Sequence, residues 1–241
     1  MSAPVLAQEV GTLLGIWAHP DDEAYLSAGL MAEFRQRGDR VVVITATLGE
    51  HGTSDPQTWP PARLATHREG ELRAALGAVG VDELHLLGFE DGDCASEDGT
   101  AAIIDLLAGI EPDLIVTFGP DGMTGHPDHR AVSRWTTDAW AATCPSADLW
   151  YATLSADFHS AWGQLNDEIG LWVDQPEPPS METAAMARAL RLDGELLDCK
   201  IAALEAHASQ TTPLIELVGR PTYRDWWSTE FFGRADLVPV G

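Results

Sequence analysis

Two short stretches gather residue types that could do chemistry. "AHPDDE" (18–23) sets a histidine and a proline ahead of three consecutive acids, and "GHPDH" (125–129) sets two histidines around an aspartate. Three adjacent carboxylates repel one another, and Asp and Glu are poor strand formers. Their place directly after the apolar run "LLGIW" therefore asks for a cause, and a cation is one. His19 and Asp22 stand three apart across a turn fixed by Pro20, and His126 and His129 have the same spacing at the start of a helix, which puts them on one face. Imidazole with carboxylate oxygen suits zinc, or iron or another divalent ion. A catalytic zinc usually takes three protein ligands and keeps one position for water. The two stretches offer more than three donors, so some remain for acid–base work. Asp21 is placed to take a proton from a water whose pKa a metal lowers to about 7. One of the two later histidines would hold charge on a carbonyl oxygen or protonate a leaving amine. Asp128, between them, would orient an imidazole.

Such residues need a scaffold that brings residue 19 to residue 129. Strand-like and helical runs alternate through the first two thirds of the chain. The pattern predicts strands over 13–18, 40–47, 83–89, 112–120 and 148–155, and helices over 28–38, 62–80, 100–110, 126–142 and 193–208. Alternation of this kind implies βαβ units and a largely parallel sheet. The expected fold is α/β, Rossmann-like, a mostly parallel sheet flanked by helices in a single domain spanning 1–241. Beyond Pro176 the pattern loosens into an irregular C-terminal extension, with "PEPPS" (176–180) as a boundary or exposed loop. Loops over 48–61, 91–99 and 156–182 are where substrate specificity would reside. In an open parallel sheet, ligands bind beyond the carboxyl ends of the strands. Both His/Asp stretches follow predicted strands, so both point to that edge.

The 241 residues carry 38 acidic against 14 basic side chains, a net charge of −24, with Lys200 the single lysine. Such a field repels phosphate backbones and anionic membrane surfaces, which excludes nucleic acid and membrane as main partners. Cys94, Cys144 and Cys199 are odd in number and share no C-x-x-C spacing, so they read as free thiols in a reducing compartment. The first residues, "MSAPVLAQEV", lack a basic region and an apolar stretch, and no apolar run approaches the ~20 residues of a membrane helix. A cytoplasmic protein is expected, and its oligomeric state is left open.

Blander readings compete with each motif. An H-x-x-D after a strand is commonly only a turn and a helix cap, because Asp accepts backbone N–H bonds there. Taken alone, either stretch is better read so; two of them, each at the end of a strand, reverse the order. "DGDCASEDG" (91–99) lacks the oxygen ligand and glycine that an EF-hand needs at Ala95 and Ser96. Neither a dinucleotide fingerprint, a P-loop nor a G-x-S-x-G elbow is present. Trp226 and Trp227 could stack on a sugar ring, but burial is the better reading. Arg68, His51 and His67 lie on or after the loop that follows the second strand and could line the crevice.

On these residues the chain resembles the PIG-L/LmbE-like family of zinc-dependent N-deacetylases. "AHPDDE" and "GHPDH" carry the likeness, supported by "HREGELRAALGAVGV" (67–81), "LGFEDG" (87–92) and "KIAALEAHASQ" (200–210), so that it covers about 12–210. The resemblance implies a Rossmann-like fold and one divalent metal, commonly Zn2+, with Fe2+ as an alternative. It implies His19, Asp22 and His129 as metal ligands, Asp21 as general base, and His126 as the group that stabilises the tetrahedral intermediate or assists the amine. Arg68 and Asp91 would contact the substrate. Some relatives carry a tyrosine where this chain has Thr124, so that contribution is lacking here or comes from another residue.

The function expected is hydrolysis of an N-acetyl group from a small N-acetylglucosamine-type amino sugar. Amide hydrolysis of a thiol conjugate or of another N-acyl sugar is the near alternative. A metallophosphoesterase, which would need two metals, and a non-catalytic sugar-binding module are rivals of other classes.

Overall fold

The computed structural model describes residues 11–172 and 180–236. Five parallel strands form the middle of the molecule: β1 (Thr12–Trp17), β2 (Arg40–Thr45), β3 (Glu83–Leu86), β4 (Leu114–Phe118) and β5 (Asp148–Ala152). They lie side by side in the order β3-β2-β1-β4-β5. β1, β2 and β4 are buried along nearly their whole length. That is why they read as continuous apolar runs rather than alternating ones.

The connecting helices are α1 (Asp22–Gln36), α2 (Pro61–Ala78), α3 (Thr100–Ile110) and α4 (Pro127–Thr143). Strand order runs outward from β1 through β2 to β3, then jumps back to β4. Right-handed crossovers therefore put α1 and α2 on one face and α3 and α4 on the other. The direction of winding reverses between β1 and β4, which makes the gap beyond their carboxyl ends the binding crevice of such a sheet. The residues after β1 and after β4 meet there.

After β5 the chain forms β6 (Leu154–Ser155), α5 (Ala156–Ile169), β7 (Ser180–Met181), β8 (Arg188–Arg191), α6 (Gly194–Ala206), α7 (Ala208–Val218), α8 (Arg220–Trp226) and β9 (Thr229–Arg234). β9 pairs antiparallel with β5, and β8 pairs antiparallel with β9, so the sheet ends as seven strands. β6 and β7 pair parallel as a separate ribbon. α6 packs against both α1 and α2.

Several expected boundaries move for identifiable reasons. α1 begins at Asp22, inside the acidic stretch, because its first-turn acids favour the positive end of the helix dipole. The strand expected over 148–155 breaks at Thr153, whose N–H donates to Phe231 O at 3.0 Å, before β6 departs. The stretch 156–182, expected as a loop, contains α5, capped by the Ser155 hydroxyl accepting from Phe158 N–H. The C-terminal residues expected to be irregular supply two strands of the main sheet. The proline-rich stretch 176–179 lies outside the described residues.

The lone lysine is the link between that C-terminal segment and α1. Lys200 Nζ donates to Glu230 Oε1 at 2.7 Å and to the Tyr25 carbonyl at 2.6 Å. Glu230 also accepts from the N–H groups of Gly29 and Leu30, within α1, at 2.8 and 2.9 Å. Both charged side chains are fully buried. Breaking a buried pair strands the other charge, at about 3–5 kcal/mol. Lys200→Met is therefore expected to lower unfolding free energy by that amount in urea titrations. A loss below about 1 kcal/mol would show that the pair does not hold β9 to α1.

Candidate metal centre

The turn between β1 and α1 separates the three consecutive acids. Asp21 has φ 107° and ψ −30°, a backbone conformation that a residue with a side chain rarely adopts. Strain of this kind costs about 1–3 kcal/mol and persists only where the surroundings enforce it. Its effect is that the three carboxylates point to different partners. Asp21 faces Arg68, with Oδ2 3.2 Å from Nη2. Asp22 faces His19 and His129. Glu23 faces the buried His207, with Oε1 2.7 Å from Nε2.

Asp21 occupies the N-cap position of α1 but makes no capping bond with its side chain. The cap reading belongs to its neighbours, and Glu23 Oε2 does accept the Asp21 N–H at 3.0 Å. Asp22 is held by the His19 backbone N–H, which donates to Oδ2 at 2.8 Å.

Hydrogen bonds fix the ring orientation of each histidine. His19 Nε2 lies 3.1 Å from Asp91 Oδ1 and 3.2 Å from Asp128 Oδ2. Carboxylates accept only, so Nε2 carries a hydrogen, and the neutral ring presents the Nδ1 lone pair. His129 Nδ1 lies 3.0 Å from the Gly122 carbonyl and 3.3 Å from Thr124 Oγ1, so its hydrogen is on Nδ1 and its lone pair is on Nε2. The His129 ring stacks on Phe118 at 4.1 Å, with 11° between the planes. Gly122 has φ 73°, and a Cβ there would lie 3.1 Å from the His129 Cβ and 2.9 Å from Arg130. The loop that presents the carbonyl to His129 thus requires glycine.

The two lone pairs face one another. His19 Nδ1 lies 3.1 Å from His129 Nε2. Asp22 places one oxygen 3.4 Å from His129 Nε2 and the other 3.6 Å from His19 Nδ1. Two ring nitrogens and a carboxylate at this spacing repel one another unless a cation stands among them, a proton on His19 Nδ1 or a metal ion in its place. Ligands bound at 2.0–2.1 Å to a tetrahedral ion stand about 3.3–3.4 Å apart, which matches this triangle. The donor set thus fits a divalent metal.

His19, His126 and His129 also bring their ring nitrogens within 4.8 Å of one another, as do the donor atoms of His19, Asp91 and Asp128. His126, however, spends Nδ1 on the Asp128 N–H as the cap of α4, at 3.2 Å. Its Nε2 then carries the hydrogen and is free to donate. Asp91 and Asp128 meet His19 through Nε2, the side turned away from His129.

Electrostatics follow this arrangement. Burial opposes charge on His19, but Asp128, Asp22 and Asp91 outweigh it and hold its pKa well above the ordinary value. Burial pushes His129 down to about 4, and burial together with the nearby His19 lowers His126. Asp22 is kept down at about 2 despite burial, because His129 and His19 favour its charge. Asp21 goes the other way. Burial raises it to about 6 against the pull of Arg68, the range suited to a general base near neutral pH.

Arg68 is 3% exposed and binds the protein on three sides, donating to the carbonyls of Gly49 and Pro20 and to Asp21. Gly49, at φ 60°, lies so close to the guanidinium that a side chain there would collide with it. Asp91 Oδ2 accepts from the His51 N–H at 2.9 Å. His51 and His67 are exposed, and His67 pairs with Glu71 at 3.2 Å. Trp226 and Trp227 are buried, and Trp227 also lines a cavity that opens on Asp22 and His129.

His207, in "EAHASQ", carries no local signal in the sequence beyond the need of Glu23 for a partner. Tyr25 likewise carries no local signal. It lines the same cavity and accepts from the Tyr223 hydroxyl at 2.9 Å.

Fold and site together define an α/β protein with a candidate metal-binding triangle at the switch point of its mostly parallel sheet. The chain belongs to the PIG-L family: residues 14–140 match the family model described as GlcNAc-PI de-N-acetylase. A 1D-myo-inositol 2-acetamido-2-deoxy-alpha-D-glucopyranoside deacetylase of Mycobacterium sp. (strain JLS) is 32% identical, over 87% of this chain and 77% of its own. The protein of the same description from Actinosynnema mirum is 30% identical, over 88% and 84%. Among solved structures, the N,N'-diacetylchitobiose deacetylase of Pyrococcus horikoshii superposes with a TM-score of 0.66 at 19% identity, covering 93% of this chain and 84% of that one.

The Glu23–His207 pair gives the site a measurable pH signature. Burial opposes charge on His207, but Glu23 outweighs it and raises the pKa above its ordinary 6.5. The stability it contributes is therefore fully present below pH 6.5 and lost as pH rises through the folded value. The stability difference between wild type and His207→Gln should shrink from pH 6 to pH 9 in chemical denaturation. A difference that grows with pH would contradict a charged His207.

Proposed function

We propose that this protein is a divalent-metal-dependent N-deacetylase acting on an N-acetylglucosamine-type amino sugar, with zinc as the metal. The observation that carries the reading is the pair of inward-facing ring nitrogens of His19 and His129, closed by Asp22. Those three residues would hold the ion, and the ion when bound supplies Lewis acidity toward the acyl carbonyl and lowers the pKa of water.

The remaining groups divide the proton work. Asp21, uncapped and raised to about 6, takes the proton of the attacking water. His126, with Nδ1 engaged by the Asp128 N–H, donates from Nε2 to the developing oxyanion or to the departing amine. Water oxygen bonds to the acyl carbon, the C–N bond breaks, and the amine leaves protonated, with acetate as the other product. Asp128 and Asp91 hold the His19 ring. For Arg68 and Asp91 these contacts within the protein add a positioning role to the substrate contact expected of them.

The curated relatives, named as deacetylases of an N-acetylglucosaminyl inositol, support the substrate class. Among the described residues no helix is long and apolar enough to cross a membrane, and Cys94, Cys144 and Cys199 are free thiols. Both are compatible with work on a small substrate in a reducing cytoplasm.

Acetate release from N-acetylglucosamine glycosides, measured with metal-stripped and zinc-reloaded protein, tests the reading. Release that depends on zinc at one ion per chain is expected, whereas about two ions per chain with phosphatase activity would overturn it. Asp21→Asn should keep its metal and lose about 10²–10⁴-fold in turnover. Turnover within a few-fold of wild type would remove Asp21 from the role of base.

A further inference from the structure

We infer that the corner between α6 and α7 positions Asp21 for its work as base, His207 acting through Glu23 and Ser209 acting through Glu71. This rests on the deacetylase reading above and adds four positioning residues to it.

The peptide between Pro20 and Asp21 is planar, and φ 107° records how that plane is turned about the N–Cα bond of Asp21. Both polar ends of the plane are held. Its oxygen accepts from Arg68 Nη2, and its N–H donates to Glu23 Oε2 at 3.0 Å. On the other side of the residue, the Asp21 carbonyl is committed to α1, accepting from the Ala24 and Tyr25 N–H groups at 2.9 and 3.0 Å. A strained residue relaxes unless its surroundings enforce the strain. Here Arg68 and Glu23 enforce it, and release of either frees the plane to turn. The Asp21 side chain, which projects from between the two anchored peptides, is re-aimed when that happens.

Each grip is steadied by the same corner. Glu23 Oε1 lies 2.7 Å from His207 Nε2, and both residues are buried. Arg68 stands on α2 three residues before Glu71, which puts the two on one helix face. Glu71 accepts from the Ser209 N–H at 2.7 Å and from Ser209 Oγ at 2.6 Å. The corner is itself braced. The His207 carbonyl accepts from the N–H groups of Gln210 and Thr211 at 2.9 and 3.0 Å, and Thr211 Oγ1 donates to the Leu204 carbonyl at 2.8 Å. Three consecutive residues, 207–209, thus reach both side chains that hold the Asp21 peptide. The stretch "KIAALEAHASQ", which supplies no metal ligand, acquires a role in this way.

A pair that only joined α1 to α6 would need no contact with that peptide. Substitution separates the two roles. Replacing both members of a buried pair by apolar groups of similar shape is nearly neutral for stability, yet it removes the acceptor of the Asp21 N–H.

The test compares wild type with Glu23→Leu combined with His207→Leu, both loaded with zinc, on an N-acetylglucosamine glycoside. The double variant should fold, bind zinc as wild type does and keep KM within about twofold, while kcat falls about 10²-fold, the cost of misplacing a reacting group by an ångström. Glu23→Gln, which keeps an oxygen for the Asp21 N–H, should recover at least about tenfold of that loss. In the Asp21→Asn background the double change should cost less than about twofold more, because it acts through a group already removed. A crystal structure of the double variant should show Asp21 released from its positive φ and its carboxylate withdrawn from Arg68. Ser209→Ala, at a half-buried position, keeps the backbone donor to Glu71 and puts the fold at little risk. Its kcat should fall about threefold at constant KM. A double variant with kcat within about threefold of wild type, an equal loss in the Asp21→Asn background, an unchanged kcat in Ser209→Ala, or an Asp21 backbone unchanged in the crystal would each overturn the inference and leave the deacetylase reading standing. A wild type without zinc-dependent hydrolysis would instead remove that reading, and the inference with it.

Discussion

Two ring nitrogens turned toward each other at 3.1 Å, and a carboxylate beside them, form a contact that only a cation between them stabilises, a proton or a metal ion. Around it the structure is arranged to keep both rings turned inward. Asp91 and Asp128 take the hydrogen of His19, the Gly122 carbonyl takes that of His129, and Phe118 lies flat against the second ring. Each partner is itself fixed, Asp91 by the His51 N–H and Asp128 by the Gly92 N–H. Orienting contacts of this kind set the tautomer and direction of a metal-ligating histidine.

The same constraint explains the acidic stretch. In a regular strand, alternate side chains would share a face and adjacent ones oppose. The left-handed backbone at Asp21 sends three neighbouring carboxylates to three separate cationic or metal-binding partners. Arg68 braces this turn through the Pro20 carbonyl and the Asp21 carboxylate, while His207 takes Glu23. Repulsion within "DDE" is thereby exchanged for attraction outside it, and one acid, Asp21, stays free of capping duty. The C-terminal segment serves the same helix from behind. Glu230 grips α1 about two turns beyond the acids, Lys200 holds Glu230, and Tyr223 reaches Tyr25.

Much of this was legible in the sequence. β1, β2 and β4 announce themselves because both faces are buried, and the two His/Asp stretches meet because they follow strands that neighbour each other at the switch point, although spacing alone offers His126 and His129 equally. Local spacing also picked out Asp22, since three residues across a proline turn is a local relation. What stayed hidden depends on long-range packing. Nothing near His207 signals that it meets Glu23, 184 residues away in sequence, and nothing near Trp227 or Leu171 signals a shared cavity wall. α5 went unseen because Trp162, Leu165 and Ile169 are only partly buried where they pack against the core, leaving Phe158 and Asn166 as its buried residues. β9 was missed because "TEFFGR" is short and its aromatic pair reads as core of either kind. The placement of Arg68 against Asp21 likewise depends on how the loop after β2 folds back.

The most direct test of the central claim is the position of a bound metal. Crystals grown with zinc, measured at the zinc absorption edge, locate the ion independently of activity. The account predicts one anomalous peak at about 2.0–2.2 Å from His19 Nδ1, His129 Nε2 and an Asp22 oxygen. A peak on the other side of His19, between Asp91 and Asp128, or none at all at saturating zinc, would contradict it.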